Sequence, residues 1–295
     1  MKFKIKKNKS KNEADMKLSQ IDYKKKNIAI WNEVAPRYHK RWASINQGPF
    51  VSTSKLVQML KIRKRDNVLD LACGTGAVTK RILQKVGNSG LVVGGDTSVT
   101  ALKIAKKWNN KKTNLDFVNV DAENFSFSKN FDVITCQYGL FFFPNALKAL
   151  KNMKVYLKKD GKLGICVHGA ANKVPFFYSI FNALTEIIPD YIPPGTPDLD
   201  RFGTKDALKN IVKKAGFSKI LINDFVFNYS PGTVNDYWEN YLKYVAKSLK
   251  EKLQSLNQTK KRELKNLVKE NVKPYTLNNK LIKFPWEVLI LTAKN

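Results

Sequence analysis

Little in the composition announces a metal, a disulfide framework or a membrane span. Three cysteines occur among 295 residues, Cys73, Cys136 and Cys166. Their odd number and the absence of any C-x-x-C spacing exclude a disulfide scaffold and a zinc pattern, so they read as small core or site-lining thiols of a reducing compartment, and no metal site is expected. No stretch approaches the roughly 18 uncharged apolar residues of a transmembrane helix. The start of the chain, KFKIKKNKSKNEADMK, lacks the apolar segment of a signal peptide. A cytoplasmic address is the resulting expectation. Arginine is also scarce: of 53 basic residues only seven are Arg, against 46 Lys, and Arg is the side chain that reads phosphates and base edges bidentately. The formal charge of +29 still favours anionic partners, but lysines scattered over polar helix faces, such as 246–273, read first as a solvated surface. The first 26 residues, ten of them lysine, are expected to form a disordered basic arm in weak contact with an anionic membrane surface or RNA.

What is present is concentrated between Val68 and Thr79, VLDLACGTGAVT. Val68, Leu69 and Leu71 supply a buried strand. Gly74 and Gly76 let the backbone bend and approach a ligand, and Ala77 to Val86 continue with helical spacing. This is the turn of a nucleotide-cofactor site. Asp96 ends the next apolar run, LVVGGD, and lies 22 positions after Gly74, near the offset of about 20 residues that places a carboxylate on a ribose diol. The third run, Leu115 to Val120, also ends in an acid, Asp121, followed by Ala122 and Glu123. The fourth, FDVITCQ, ends at Gln137 and leads into YGLFFFPN. Apolar runs of strand length alternate with helical segments, which predicts an α/β fold with a parallel sheet covered on both faces. Ligands of such sheets bind at the carboxyl ends of the strands, where Asp70, Asp96, Asp121 and Gln137 gather. A dinucleotide fingerprint would want a third glycine at position 79, and Thr79 stands there instead.

The segments WNEVAPRYHKRW, VLDLACGTG, VVGGDTS, VNVDAENFSF, FDVITCQYGLFFFPN and LKKDGKLGI occur in the order and spacing of a known family. The chain resembles the class I S-adenosyl-L-methionine (SAM) dependent methyltransferases, in the group that includes the ubiquinone/menaquinone-biosynthesis C-methyltransferases. The likeness is good over residues 28–168 and returns in Pro193 to Ile220 and FPWEVLILTAK. It implies a Rossmann-like, seven-stranded, mainly parallel sheet of order 3-2-1-4-5-7-6, with the seventh strand antiparallel. It also implies SAM as cofactor, held by Tyr38, Asp70, Ala72, Gly74, Thr75, Gly76, Asp96, Thr97, Asp121, Ala122, Glu123 and Gln137. The turn's N–H groups would meet the methionyl carboxylate, Asp96 the ribose hydroxyls and Asp121 the adenine amine.

Beside that resemblance the domain is expected to run over residues 27–295, with helical cap insertions at about 169–203 and 231–284. With Ile28 to Trp42 these insertions would roof the cofactor. Nucleic-acid amine methyltransferases carry N/D-P-P-Y/F after the fourth strand, and cytosine-C5 enzymes a Pro-flanked Cys; this chain has neither. A small apolar acceptor, a quinone precursor or lipid, fits Tyr138 and Phe141 to Phe143 better, with Phe142, Phe177 and Tyr178 expected to wall its pocket. His168, at the end of the fifth strand, and His39, beside Tyr38, are the candidate catalytic bases. An RNA or protein methyltransferase using the basic surface, or a SAM-binding regulator or assembly factor without catalysis, are the alternatives. The oligomeric state is open.

Overall fold

The computed structural model describes residues 13–109, 113–188, 191–192 and 195–295. In chain order the elements are α1 (Glu13–Tyr38), α2 (Thr53–Leu60), β1 (Asn67–Leu71), α3 (Ala77–Val86), β2 (Leu91–Asp96), α4 (Val99–Asn109), β3 (Leu115–Asn119), β4 (Phe131–Gln137), α5 (Ala146–Val155) and β5 (Leu157–His168). These are followed by α6 (Pro175–Ile187), α7 (Lys205–Lys214), β6 (Ser218–Gly232), α8 (Val234–Tyr244), α9 (Lys247–Ser255), α10 (Gln258–Val272) and β7 (Ile282–Lys294). The strands form one sheet in the order β3-β2-β1-β4-β5-β7-β6. Pairing is parallel from β3 to β5, while β7 runs antiparallel to both β5 and β6. This is the expected topology.

Period-two alternation explains why both faces need cover. Val68, Val92 and Val133 pack into one core with α2 and α3, whereas Leu69, Val93, Ile134 and Ile165 pack into the other with α5 and α7. The helices begin where the sequence supplies a cap: the Asn145 side chain accepts from Lys148 N before α5, and Thr233 and Asp236 form a capping box before α8. No helix among the described residues is long and apolar enough to cross a membrane.

β7 fixes where the insertions go. Ile282, Phe284, Trp286, Val288 and Ile290 all point to one face and are fully buried. Trp286 stacks between Phe176 of α6 and Phe227 of β6, with ring centroids 5.1 and 5.3 Å away. Tyr237 of α8 and residues of α9 and α10 complete that aromatic core. The expectation that the insertions roof the cofactor is therefore corrected: they cover the β5-β7-β6 face, because five large apolar side chains of β7 need burial there.

The N-terminal arm is corrected as well. The expectation of disorder over residues 1–26 fails from residue 13 onward, where α1 begins; residues 1–12 lie outside the described residues. Tyr23 is buried and Lys24 is ion-paired to two carboxylates. The inward stripe of α1 mixes buried Tyr23 with half-buried Lys24, Asn27, Ile28 and Trp31, so its apolar periodicity is weak and the flanking lysines dominate the pattern. The carboxyl half of α1 is buttressed by the second insertion: Lys247 N donates to Glu33 Oε1 (2.9 Å), and Arg37 donates to the Val245 carbonyl (3.3 Å).

Trp286→Ala is expected to destabilise the chain by about 3–5 kcal/mol through the cavity it leaves. Urea unfolding checks this, and a loss below about 1 kcal/mol would show that the aromatic face does not anchor the insertions.

Candidate cofactor and acceptor site

One cavity lies at the carboxyl ends of β1, β2 and β4 and has α1 as its outer wall; with its mouth it holds about 1130 Å³ free of protein atoms. Its floor is the β1–α3 turn. Ala72, Gly74 and Gly76 all have positive φ (54°, 55° and 84°). A Cβ on Gly76 would meet Asn109 Nδ2 at 2.7 Å, whereas one on Gly74 would meet nothing within 4 Å. Gly76 is thus required by packing, while Gly74 leaves its surface open to the cavity, as a cradle for a ligand must.

The turn is held by two acids, Asp70 buried beneath it and Asp96 at the cavity edge. Asp70 accepts hydrogen bonds from the hydroxyls of Thr79 (2.6 Å) and Thr135 (2.8 Å). Burial pushes its pKa up to about 6 despite those donors. Thr79, standing where a dinucleotide turn has its third glycine, is therefore a lock on the strand-to-helix junction. Asp96 accepts from Gly74 N and Ser98 N, both at 2.8 Å, and desolvation holds its pKa above the usual carboxylate range. Asp121 and Glu123 share the ammonium of Lys24, each at 2.7 Å. Burial lowers the Lys24 pKa, but the hydrogen bonds to these carboxylates outweigh it and leave the group raised.

The opposite wall is aromatic. Trp31 of α1 meets Tyr38 and Phe142 edge-on, at 5.3 and 5.7 Å, and Tyr38 meets Phe50 at 5.9 Å. Phe142, Phe143 and Pro144 line the cavity beside Gln137 and Tyr138. The Arg201 guanidinium donates to the carbonyls of Phe141 and Phe143 and so holds this turn in shape. Gln137 lines the cavity and gives its amide N–H to the Thr53 hydroxyl (2.9 Å), while its carbonyl oxygen is buried without a partner.

Of the residues expected to touch a cofactor, Tyr38, Ala72, Gly74, Thr75, Asp96, Thr97, Asp121, Ala122 and Gln137 line this cavity. Asp70, Gly76 and Glu123 do not: Asp70 lies behind the turn, Gly76 donates to the Cys73 carbonyl (2.9 Å), and Glu123 faces Lys24 and Asn145 N. They shape the site and do not border it. Neither histidine lines the cavity. His168 is stacked on Tyr138 at 4.3 Å, and its Nδ1 accepts from Trp286 Nε1 (3.1 Å). Desolvation drives its pKa down to about 3, and the half-buried ring packs against Tyr138, Phe177 and Trp286 without bordering the cavity. His39 hydrogen-bonds the Thr75 hydroxyl through Nδ1 (2.8 Å) and packs edge-on against Trp108. Burial, aided by Lys80, lowers its pKa. Phe177, 39% exposed, packs on His168 and Trp286, and Tyr178 on Phe181, so neither walls the cavity. The sequence reading missed Lys24 and Asn27, whose one legible signal is the spacing of Lys24, Asn27, Ile28, Trp31, Ala35 and Tyr38 along one side of α1.

Comparison with known proteins gives this geometry its family. The model of the ubiE/COQ5 methyltransferase family matches residues 20–192. The chain belongs to that family. Demethylmenaquinone methyltransferases are among its relatives. That of Staphylococcus haemolyticus is 29% identical over 56% of this chain and 74% of its own length. That of Lactobacillus johnsonii is 27% identical over 65% and 85%. Among solved structures, a candidate methyltransferase from Bacillus halodurans superimposes with a TM-score of 0.58 at 21% identity, covering 83% of this chain and 98% of its own. A phosphoethanolamine N-methyltransferase of Haemonchus contortus, with SAM bound, gives 0.52 at 16% identity, covering 83% and 52%. These likenesses share the fold. The protein is a SAM-dependent methyltransferase of the ubiE/COQ5 family.

The histidine geometry sets a pH dependence. The folded pKa of His168 is depressed to about 3 from the ordinary 6.5, so its contribution to stability is complete above about pH 6.5 and is lost as pH falls towards 3, at up to about 1.4 kcal/mol per pH unit. His168→Asn, whose amide oxygen can still accept from Trp286, is expected to flatten this slope by about one proton in unfolding titrations between pH 7 and 4. An unchanged slope would show that His168 titrates freely in the folded protein.

Proposed function

We propose that the cavity holds SAM along the turn and transfers its methyl group to a ring carbon of a small apolar aromatic acceptor, a quinone precursor in its reduced, dihydroxy form. The observation that carries this reading is the aromatic wall of Trp31, Phe142, Phe143 and Tyr138, in the same cavity as the Gly74 cradle and Asp96. The demethylmenaquinone methyltransferases among the relatives point to the same acceptor class.

The residues present fit SAM. Gly74 leaves open space beside the turn, where the methionyl carboxylate would be met by backbone N–H groups. Asp96, desolvated and at the cavity edge, would accept the ribose hydroxyls. Asp121 has lone pairs left for the adenine amine, since a carboxylate takes about four hydrogen bonds, and Ala122 and Val120 would lie against the ring. Gln137, among the residues lining the cavity, would border the methionyl end of SAM. When bound, SAM supplies an electrophilic methyl group.

The chain's own part in the reaction is alignment and exclusion of water. Trp31, Phe142 and Tyr138 hold a flat apolar ring, and the covered cavity strips water from the charge that is neutralised on transfer. The reduced form of the acceptor supplies the electron-rich carbon, which the oxidised quinone lacks. As the methyl group bonds to the ring carbon and leaves sulfur, the carbon loses its proton to water at the cavity mouth, since His168 stacks on Tyr138 and does not border the cavity.

Asp96→Asn is expected to weaken SAM binding by on the order of ten- to a hundredfold, the worth of hydrogen bonds to a charged group, as read by calorimetry on a folded variant. Methyl transfer from labelled SAM should label a reduced demethylnaphthoquinone and leave the oxidised form unlabelled. Label appearing only in RNA or protein, or SAM binding with no transfer to any hydroquinone, would overturn the acceptor reading.

A further inference from the structure

We propose that Lys24 is a positioning residue for the bound cofactor: it clasps α1 onto Asp121 and Glu123 at the adenine end of the cavity, and cofactor exchange requires the clasp to open. The proposal rests on the reading above that Asp121 marks the adenine end. The contact spans 97 residues of sequence and joins the amino-terminal half of α1 to the end of β3. Lys24 Nζ lies 2.7 Å from Asp121 Oδ2 and 2.7 Å from Glu123 Oε2. Both carboxylates are fixed before Lys24 reaches them: Asp121 Oδ1 accepts from Glu123 N, and Glu123 Oε1 from Asn145 N, both at 2.9 Å. A pre-set pair of carboxylates loses little freedom when a cation docks between them, which separates this contact from the mobile ion pairs of an open surface.

Lys24 also stands at one end of the stripe of α1 that forms the cavity's outer wall, continued by Asn27, Ile28, Trp31, Ala35 and Tyr38. The carboxyl half of that helix is tied elsewhere. Asn32 Oδ1 accepts from the Ser98 hydroxyl (2.8 Å) and Thr100 N (3.1 Å), and Glu33 and Arg37 bond the backbone of the second insertion. The amino-terminal half is held to the acids of the β3 end by Lys24. Its side chain is 29% exposed, so water and salt reach the pair and it can open without unfolding the helix. Asp121 keeps lone pairs for an adenine amine while Lys24 is in place, so clasp and cofactor reinforce each other instead of competing.

The test is stopped-flow release of SAM and S-adenosylhomocysteine from the full chain and its Lys24→Met, Lys24→Arg and Asp96→Asn variants, each checked for folding by thermal melt, with Lys24→Gln replacing any Met variant that fails the check. Lys24→Met is expected to release both ligands about tenfold faster and to lose the acceleration by salt that the native chain shows. Lys24→Arg, which keeps the charge, is expected to stay within about twofold of the native rate. Native release rates and salt dependence in Lys24→Met, or tighter SAM binding in that variant, would overturn the clasp, the latter by showing that Lys24 occupies the acceptor that adenine needs. If Asp96→Asn weakens SAM while Lys24→Met behaves as the native chain, the clasp alone falls. If Asp96→Asn binds SAM as the native chain does, the site reading falls and the clasp with it.

Discussion

The site depends on a buried acid that touches no ligand space. Asp70 is 1% exposed and pulls two hydroxyls onto itself, Thr79 from the first turns of α3 and Thr135 from the neighbouring strand β4. A carboxylate in that position is expensive to desolvate, and its raised pKa of about 6 records the cost. In return, strand, turn and helix are bound at one point, and the turn above is fixed closely enough for Gly74 to hold its open side to the cavity. Asp96 repeats the device one strand away, tying the Gly74 amide to the end of β2. The chemistry of the site is therefore set by backbone geometry, which the carboxylates of buried Asp70 and cavity-edge Asp96 hold in place.

Much of this was legible in the sequence because it is local. The glycine turn, Asp96, the Asp121-Ala122 pair and Gln137 sit at strand ends, and period-two apolar runs mark strand ends well. Thr79 was legible as a departure from a dinucleotide turn but not as the partner of Asp70, since that contact appears only when α3 folds back over β1. Glu123, expected at the cofactor, serves instead to fix Lys24 and the start of α5; nothing in the string DAEN distinguishes a carboxylate facing the cavity from one turned beside it.

What the sequence did not disclose is tertiary. The insertions carry aromatic residues that suit either a pocket wall or a core, and only the row of buried side chains along β7 decides for the core. His168 follows from the same cause: at the end of β5 it would face an acceptor in a bare sheet, but α6 and Trp286 close over it. The lysine-rich start misled for a different reason. Compositional bias towards Lys hides a helix whose inner face is partly polar, and Lys24 of that lysine-rich start reaches the site. The roof expected of the insertions is supplied by α1, with the insertions bracing its far half.

The central claim is that the cavity between α1 and the β1–α3 turn is the SAM site of this family member. A crystal structure with S-adenosylhomocysteine tests it most directly. The account predicts the nucleoside lying between α1 and the turn, ribose hydroxyls on Asp96, adenine beside Asp121 and Ala122, and the thioether sulfur facing Trp31 and Phe142. Ligand density elsewhere on the sheet, or in this cavity with the ribose away from Asp96, would contradict it.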